Sequence, residues 1–310
     1  MSTHSEHANL YSQLEELVEF RFHVKQKKLN HQQDQIVAQT GSHLAIKKGR
    51  GMTFSEVRQY QPGDDIRHID WKVTARTQKA HTKLFVEENE RPSLLVVEQT
   101  PNMFFGSKVR LKTAQALNIA AILGWVSLSH NERVGGLSFN HLKQNWIAPK
   151  RSQQTMLSFL QQAIDYQQQI KKPSAPDMQA WPDAMNQLLK VNKPGNKVFL
   201  IGDMIHLANT AKAQLNKLKT RADITAIHIY DDLEIQLPEL GWLSMASSFN
   251  NEQIVKLDSF RHKTRQTYAE IYQHQWQKAR ETFTSLNIPI VQISTREEPL
   301  MSLIENKLLQ

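Results

Sequence analysis

From residue 91 onward the chain alternates short apolar runs with longer stretches in which apolar residues recur every three or four positions. The runs at 93–98 (SLLVVE), 196–203 (NKVFLIGD) and 223–231 (DITAIHIYD) have apolar centres, as strands buried on both faces of a parallel sheet do. Between them, 107–130 (SKVRLKTAQALNIAAILGWVSLSH), QTMLSFLQQAIDYQQQI, MQAWPDAMNQLLKV and ANTAKAQLNKLKTR keep helical spacing, and 276–287 (WQKARETFTSLN) closes the series ahead of IPIVQIST. RVGGLSF and LKQNWIA read as a pair of strands. Strands separated by helices of this length predict an α/β fold, a mostly parallel sheet with helices on both faces.

The first 90 residues have a different texture. Leu10, Leu14, Leu17, Val18 and Phe22 predict an amphipathic helix over 9–29, and 43–60 reads as short strands and turns with Gly49 and Gly51 on either side of Arg50. After Pro62 and Gly63, Asp64 stands as the N-cap of one short helix running through Trp71 towards Arg76. Asp65 lies at its positive end, and Ile66, Ile69 and Val73 lie along one face. Thr82, Leu84 and Val86 then alternate with polar residues over 81–90, as in a half-buried strand. This pattern divides the chain into an N-terminal helix and small subdomain, 1–90, and an α/β domain, 91–310.

Composition narrows the chemistry. With 40% hydrophobic and 22% charged residues among 310, the chain can form a packed core without a cofactor. It contains no cysteine, which removes disulfides, thiolate nucleophiles and cysteine-bound zinc or iron–sulfur centres. The start, MSTHSEHANLYSQLEELVEF, lacks the basic head and apolar run of a signal peptide, and the longest apolar stretch, 119–128, is about half of the ~20 residues a bilayer requires. A soluble, cytoplasmic protein is the expectation. The net charge of +8 is unevenly placed: residues 108–151 hold seven Lys and Arg against one acidic residue. A basic face for nucleic acid is therefore one alternative, although no aromatic residues are interleaved for base stacking.

The densest polar cluster is RQYQPGDDIRHIDWKVTART, residues 58–77. Asp64, Asp65, His68, Asp70 and His81 could form a metal or acid–base centre, and a metal-dependent hydrolase built on Asp64 to Asp70 is the enzymatic alternative. Arg58, Arg67, Lys72 and Arg76 alternate with these groups, however, and carboxylates matched by guanidiniums form ion-pair networks more readily than ligand cages. GRGMTF is not followed by a Lys-Ser/Thr step, and neither a Gly-x-Ser-x-Gly elbow nor HExxH occurs, so no enzyme is expected. His206 and His228 sit beside predicted sheet ends as satisfied histidines, while Trp125, Trp146 and Trp181 read as packing residues.

The order GRGMTF, VRQYQPGDDIRHIDWKVTART, KLFVEENER, a strand ending near Glu98 and then NMFFGS closely resembles the bacterial family called domain of unknown function 58. The residues that match its signature are Arg58, Tyr60, Gly63, Asp64, Asp65, Ile69, Asp70, Trp71, Ala75 and Arg76, with Arg67 inside it. ERVGGLSF, VFLIGD and DDLEIQLPELG extend the resemblance over most of 45–245. The resemblance implies a von Willebrand factor A-like domain with a small signature subdomain whose marked residues are structural. It also implies a protein-binding role beside a MoxR-type AAA+ ATPase, in the maturation or assembly of a client protein. Many relatives carry two N-terminal membrane helices, and this sequence looks like the shorter soluble form.

Domains of that fold commonly hold a divalent cation through an Asp-x-Ser-x-Ser motif after the first strand, together with a later threonine and aspartate. Glu98, Thr100 and Asn102 stand at the motif positions here, Asp203 ends VFLIGD, and PDMQAWPDAMNQ offers no threonine. Mg²⁺ demands near-octahedral oxygen geometry, so a longer carboxylate and a lost hydroxyl imply a degenerate, weak or lost site and no cofactor. The implied contact surface is the C-terminal sheet edge at 98–107 and 203–209.

Overall fold

The computed structural model describes residues 11–30, 52–62, 64–87, 91–246 and 254–310; Leu10, the Gly49–Gly51 turn and the signature's Gly63 lie outside them. In chain order the elements begin with α1 (Leu14–His23), β1 (Met52–Gln59), a 3₁₀ turn (Ile66–His68), α2 (Trp71–Thr77), β2 (His81–Glu87) and β3 (Ser93–Glu98). A second 3₁₀ turn (Pro101–Met103) precedes α3 (Lys112–Ser129), β4 (Val134–Phe139), β5 (Gln144–Lys150), α4 (Gln153–Gln169), α5 (Ala180–Val191) and β6 (Asn196–Gly202). Then follow α6 (Met204–Thr210), α7 (Lys212–Lys219), β7 (Ala222–Tyr230), α8 (Asp232–Ile235), β8 (Trp242–Ala246), β9 (Ile254–Asp258), α9 (His262–Ser285), β10 (Ile290–Ser294) and α10 (Pro299–Glu305). The chain forms two compact units, one of residues 1–31 with 91–310 and one of 32–90.

The larger unit is built on a six-stranded sheet in the order β10-β7-β6-β3-β4-β5, parallel throughout except for β5, which runs antiparallel to β4. Counted along the chain this is the doubly wound order 3-2-1-4-5-6, so the expectation of an α/β fold with a mostly parallel sheet holds. Successive side chains of a strand face opposite sides. Leu95 and Val97 of β3 accordingly enter a core with α1, α3, α4 and α10, while Leu94 and Val96 enter a second core with α5, α6, α7 and α9. Between β3 and β4 the backbones approach so closely that a Cβ at Gly136 would lie 1.9 Å from the Leu95 carbonyl oxygen.

Helix α1 belongs to this unit and not to the signature segment, where the sequence had grouped it. Leu17 is fully buried in the first core, its carbonyl accepts from Trp125 Nε1 at 2.8 Å, and the Ser12 N–H donates to Gln167 Oε1 at 2.9 Å. An apolar stripe beside a nearly all-buried α3 costs least when it covers that helix. Other boundaries also move. The helix expected over 107–130 starts at Lys112, the one expected from 208 is divided at Ala211, and the closing helix reaches back to His262. The β8–β9 hairpin has no counterpart in the sequence reading.

In the smaller unit β1 and β2 pair antiparallel, with Arg58 opposite Thr82 and Gln59 opposite His81. The segment between them is not one helix from Asp64. Asp65 Oδ1 accepts from the Arg67 N–H to cap the 3₁₀ turn, Ile69 is extended and bridges to Thr82, and Asp70 Oδ1 caps α2 by accepting from Lys72 and Val73. Two caps five residues apart define two short turns of helix, so the expected apolar stripe is broken, and Ile66 and Trp71 are exposed.

Two outcomes follow. Gly136→Ala forces β3 and β4 apart and lowers unfolding free energy by about 3 kcal/mol, the upper end for overpacking, in urea titrations. Asp70→Ala lowers the melting temperature more than Asp70→Asn, because asparagine keeps a side-chain oxygen for the cap.

Candidate functional site

Strands β3 and β6 are neighbours, but the chain leaves them in opposite directions, towards β4 on one side and β7 on the other. Open α/β sheets place their sites outside the carboxyl ends of strands at such a switch point. Here the last residue of β3 is Glu98, fully buried. Its Oε2 accepts from the Asp203 N–H at 2.7 Å and from Trp181 Nε1 at 3.1 Å, and its Oε1 accepts from Thr100 Oγ1 at 2.6 Å. The carboxylate lies flat on the end of β6 because residue 202 is glycine: a Cβ there would come within 2.5 Å of Glu98 Oε2. Trp181 is held edge-on to Phe139, with ring centroids 4.8 Å apart, so its packing aims its N–H at Glu98.

Thr100 Oγ1 also touches Asn102 Oδ1. A hydroxyl has one proton, so two acceptors require either a proton on Glu98 or the Asn102 amide turned to present its NH₂. Asp203 Oδ1 caps α6 through the N–H groups of Ile205 and His206, and the His206 ring lies 2.9 Å from the Asp177 carbonyl. Across the site, Lys112, the first residue of α3, has 1% of its side chain exposed and donates from Nζ to Glu234 Oε1 at 2.8 Å. Glu234 is fixed in turn by a capping box with Asp231.

Electrostatics follow from burial. Desolvation raises the Glu98 carboxyl, and the nearby Asp203 charge raises it further. Burial alone would also raise Asp203, but Lys112, with the two neighbouring histidines and the His206 N–H, holds it below the ordinary range. Burial would discharge Lys112, yet Glu234 and Asp203 outweigh it and keep the ammonium protonated. His228 is pushed down by burial from 6.5 to about 4. Its Nδ1 accepts from the Met204 N–H, its Nε2 lies 3.3 Å from Tyr272 Oη, and its ring stacks on Trp276.

Glu98, Thr100, Asn102 and Asp203 are thus brought together by the fold. The signature residues lie in the other unit and are engaged locally. Asp64 pairs with Arg58 at 2.7 Å, Asp65 and Asp70 cap, Lys83 lies 3.5 Å from Asp70, and the Tyr60 N–H bonds to Ala80. Among the described residues no three His, Asp or Glu side chains converge as a metal ion requires. The seven basic residues of 108–151 do not form one surface: Lys112 is internal, Arg110 donates to the Glu297 carbonyl, and Lys108 lies 3.8 Å from Asp232. Sequence reasoning missed Lys112, Glu234, Gly202 and the Trp181 N–H. For Lys112 one signal was available, a lone lysine opening an apolar helix where the dipole disfavours a cation.

Lys112→Met leaves buried carboxylates without their counter-charge and costs on the order of 3–5 kcal/mol in chemical unfolding, part of which the added change Glu234→Gln restores. His228 gives a pH signature. The unfolded ring takes a proton near 6.5 and the folded one near 4. Its stabilisation is therefore complete above pH 6.5 and falls away as pH drops towards 4, by ~3 kcal/mol. Glu98 acts with the opposite sign, losing its contribution as pH rises through its raised value. The histidine part is accordingly the difference between wild type and His228→Asn in unfolding free energy measured across that range, and equal slopes in the two proteins would rule it out.

The chain resembles uncharacterized proteins of Mycobacterium bovis and Mycobacterium tuberculosis, with 27% identity over 201 residues, 65% of this chain and 62% of theirs. It thus spans less than two thirds of the length of the curated relatives it matches. Among solved structures, the conserved hypothetical protein BatB from Bacteroides thetaiotaomicron aligns with a TM-score of 0.36 and 13% identity, covering 70% of this chain and 96% of that one. Manganese-loaded TRAP protein of Plasmodium vivax aligns with a TM-score of 0.29 and 18% identity, over 45% and 57%. Scores this low carry no argument about the site. No described helix is long and apolar enough to cross a membrane. The match that decides kinship runs over residues 56–278, from the signature strand through the switch point and into α9, and by it the chain belongs to the family described as protein of unknown function DUF58.

Proposed function

We propose that the chain is a protein-binding adaptor or regulator without enzymatic activity of its own, working with a MoxR-type AAA+ ATPase in the maturation or assembly of a client protein. One observation carries the non-enzymatic half of this reading. The switch-point carboxylates of Glu98, Asp203 and Glu234 each accept hydrogen bonds from other groups of the chain. The rim of the same sheet edge is open: residues 106–109 and Met178 are exposed beside it. A partner therefore meets a shaped surface with a rigid polar floor, which suits docking rather than turnover. The class of partner comes from the family resemblance carried by Arg58 to Arg76.

The test is co-purification of the tagged chain with the MoxR-type ATPase of the same genome, with ATP, with ADP and without nucleotide. A complex is expected in at least one condition, weakened by Val109→Asp or Met178→Asp with the melting temperature unchanged. Absence of a complex in all three conditions would sink the proposal.

A further inference from the structure

We infer that the base of the β8–β9 hairpin, where it meets the start of α9, is a membrane-docking site that seats Leu240, Trp242 and Phe260 in the interfacial layer of an anionic lipid bilayer. The inference goes beyond the adaptor reading and does not rest on it, because it concerns another surface of the chain and another partner.

Three large apolar side chains stand in water here side by side. Leu240, Trp242 and Phe260 are 67%, 71% and 67% exposed. The backbone fixes their adjacency: the Ser259 N–H donates to the Gly241 carbonyl at 2.8 Å, and the Leu240 N–H donates to Ser259 Oγ at 2.9 Å. Gly241 has a φ of +84°, and a Cβ there would lie 3.0 Å from the Phe260 ring, so the ring covers the backbone between Leu240 and Trp242. Trp242 lies opposite Asp258 and Ser244 opposite Lys256, so these four side chains share one face of the hairpin. Leu243 and Leu257 point to the other face and are partly buried. The register therefore covers the leucines and turns the indole outward.

The charges around the patch leave positive sign in excess. Asp258 is held by Arg261 Nε at 3.1 Å and Glu239 by Arg265 at 2.6 Å, so each acidic neighbour already has a cation. Lys256 and Lys263 are exposed and have no acidic partner among the described residues. Helix α9 begins at His262 with no acidic residue in its first turn and no side-chain cap, so its dipole adds to the positive field.

This combination selects the occupant. Three such side chains, about two-thirds exposed, offer roughly 400 Å² of apolar area. A stable protein interface needs about 800 Å² from each partner and is depleted in lysine. At a bilayer surface the preferences are reversed. An indole settles at headgroup level, and lysines beside it raise their ammonium groups to the lipid phosphates. No described helix is long and apolar enough to cross a membrane, so attachment through these residues is peripheral.

Vesicles of phosphatidylcholine with phosphatidylserine, and vesicles of phosphatidylcholine alone, are the probes, with sedimentation as the readout. The wild type is expected to sediment with the anionic vesicles, to leave the neutral ones, and to be released as salt rises. Trp242→Asp with Phe260→Asp weakens binding at least about tenfold. Lys256→Ala and Lys263→Ala each weaken it about fivefold. All four side chains are exposed, so the melting temperature stays unchanged in these variants. Trp242→Phe retains binding but loses the share of tryptophan quenching by brominated acyl chains that Trp242 contributes. A wild type that does not sediment with anionic vesicles would overturn the inference. So would a folded Trp242→Asp, Phe260→Asp variant that binds them as well as the wild type does. A failed complex with the ATPase, tested without lipid, touches only the adaptor reading.

Discussion

The C-terminal edge of the sheet depends on one buried carboxylate. Glu98 ends the central strand out of reach of water, where an unpaired charge is far too costly to keep. The neighbouring segments answer that cost. The backbone after β6 donates an N–H, α5 supplies an indole N–H, and the turn after β3 supplies a hydroxyl. The positions of Gly202 and Trp181 can each be understood as a condition for keeping that carboxylate inside.

The two units use acidic residues in opposite ways. In the smaller one, Asp64, Asp65 and Asp70 accept backbone or side-chain hydrogen bonds from groups no more than six residues away, shaping turns of the backbone, and Asp70 adds an ion pair with Lys83. In the larger one, Glu98 and Glu234 reach groups 83 to 122 residues away along the chain. Local bonds of the first kind are worth little singly and specify a conformation. Long-range buried bonds of the second kind are costly to break and specify a topology. The cluster that looks most like a reaction centre in the sequence is the locally engaged one, and the long-range buried bonds lie at the sheet edge.

The strands of the large sheet were legible because burial on both faces removes alternation and leaves continuous apolar runs, as in 93–98 and 196–202. The start of α9 was not, since HKTRQTYAEIYQHQ is mostly solvated and the helix buries only Ala279 and Phe283 fully. The β8–β9 hairpin escaped for a similar reason, with Trp242 exposed where a strand pattern would have it face a core. The split of the signature segment into two turns depended on which aspartate capped, and Asp64, Asp65 and Asp70 are equally good candidates by residue type. For the site, Glu98, Thr100, Asn102 and Asp203 were singled out by the family resemblance, but their partners could not be.

Sequence alone determined the periodicities and the family mark between Arg58 and Arg76, because each is written in residues close together. Only the tertiary structure decided that α1 packs with the sheet and that Trp181 serves Glu98. It also decided that a lysine from the basic 108–151 stretch turns inward to Glu234. Those outcomes depend on which surfaces leave water together and which charges must then be matched, and no local pattern along the chain encodes them.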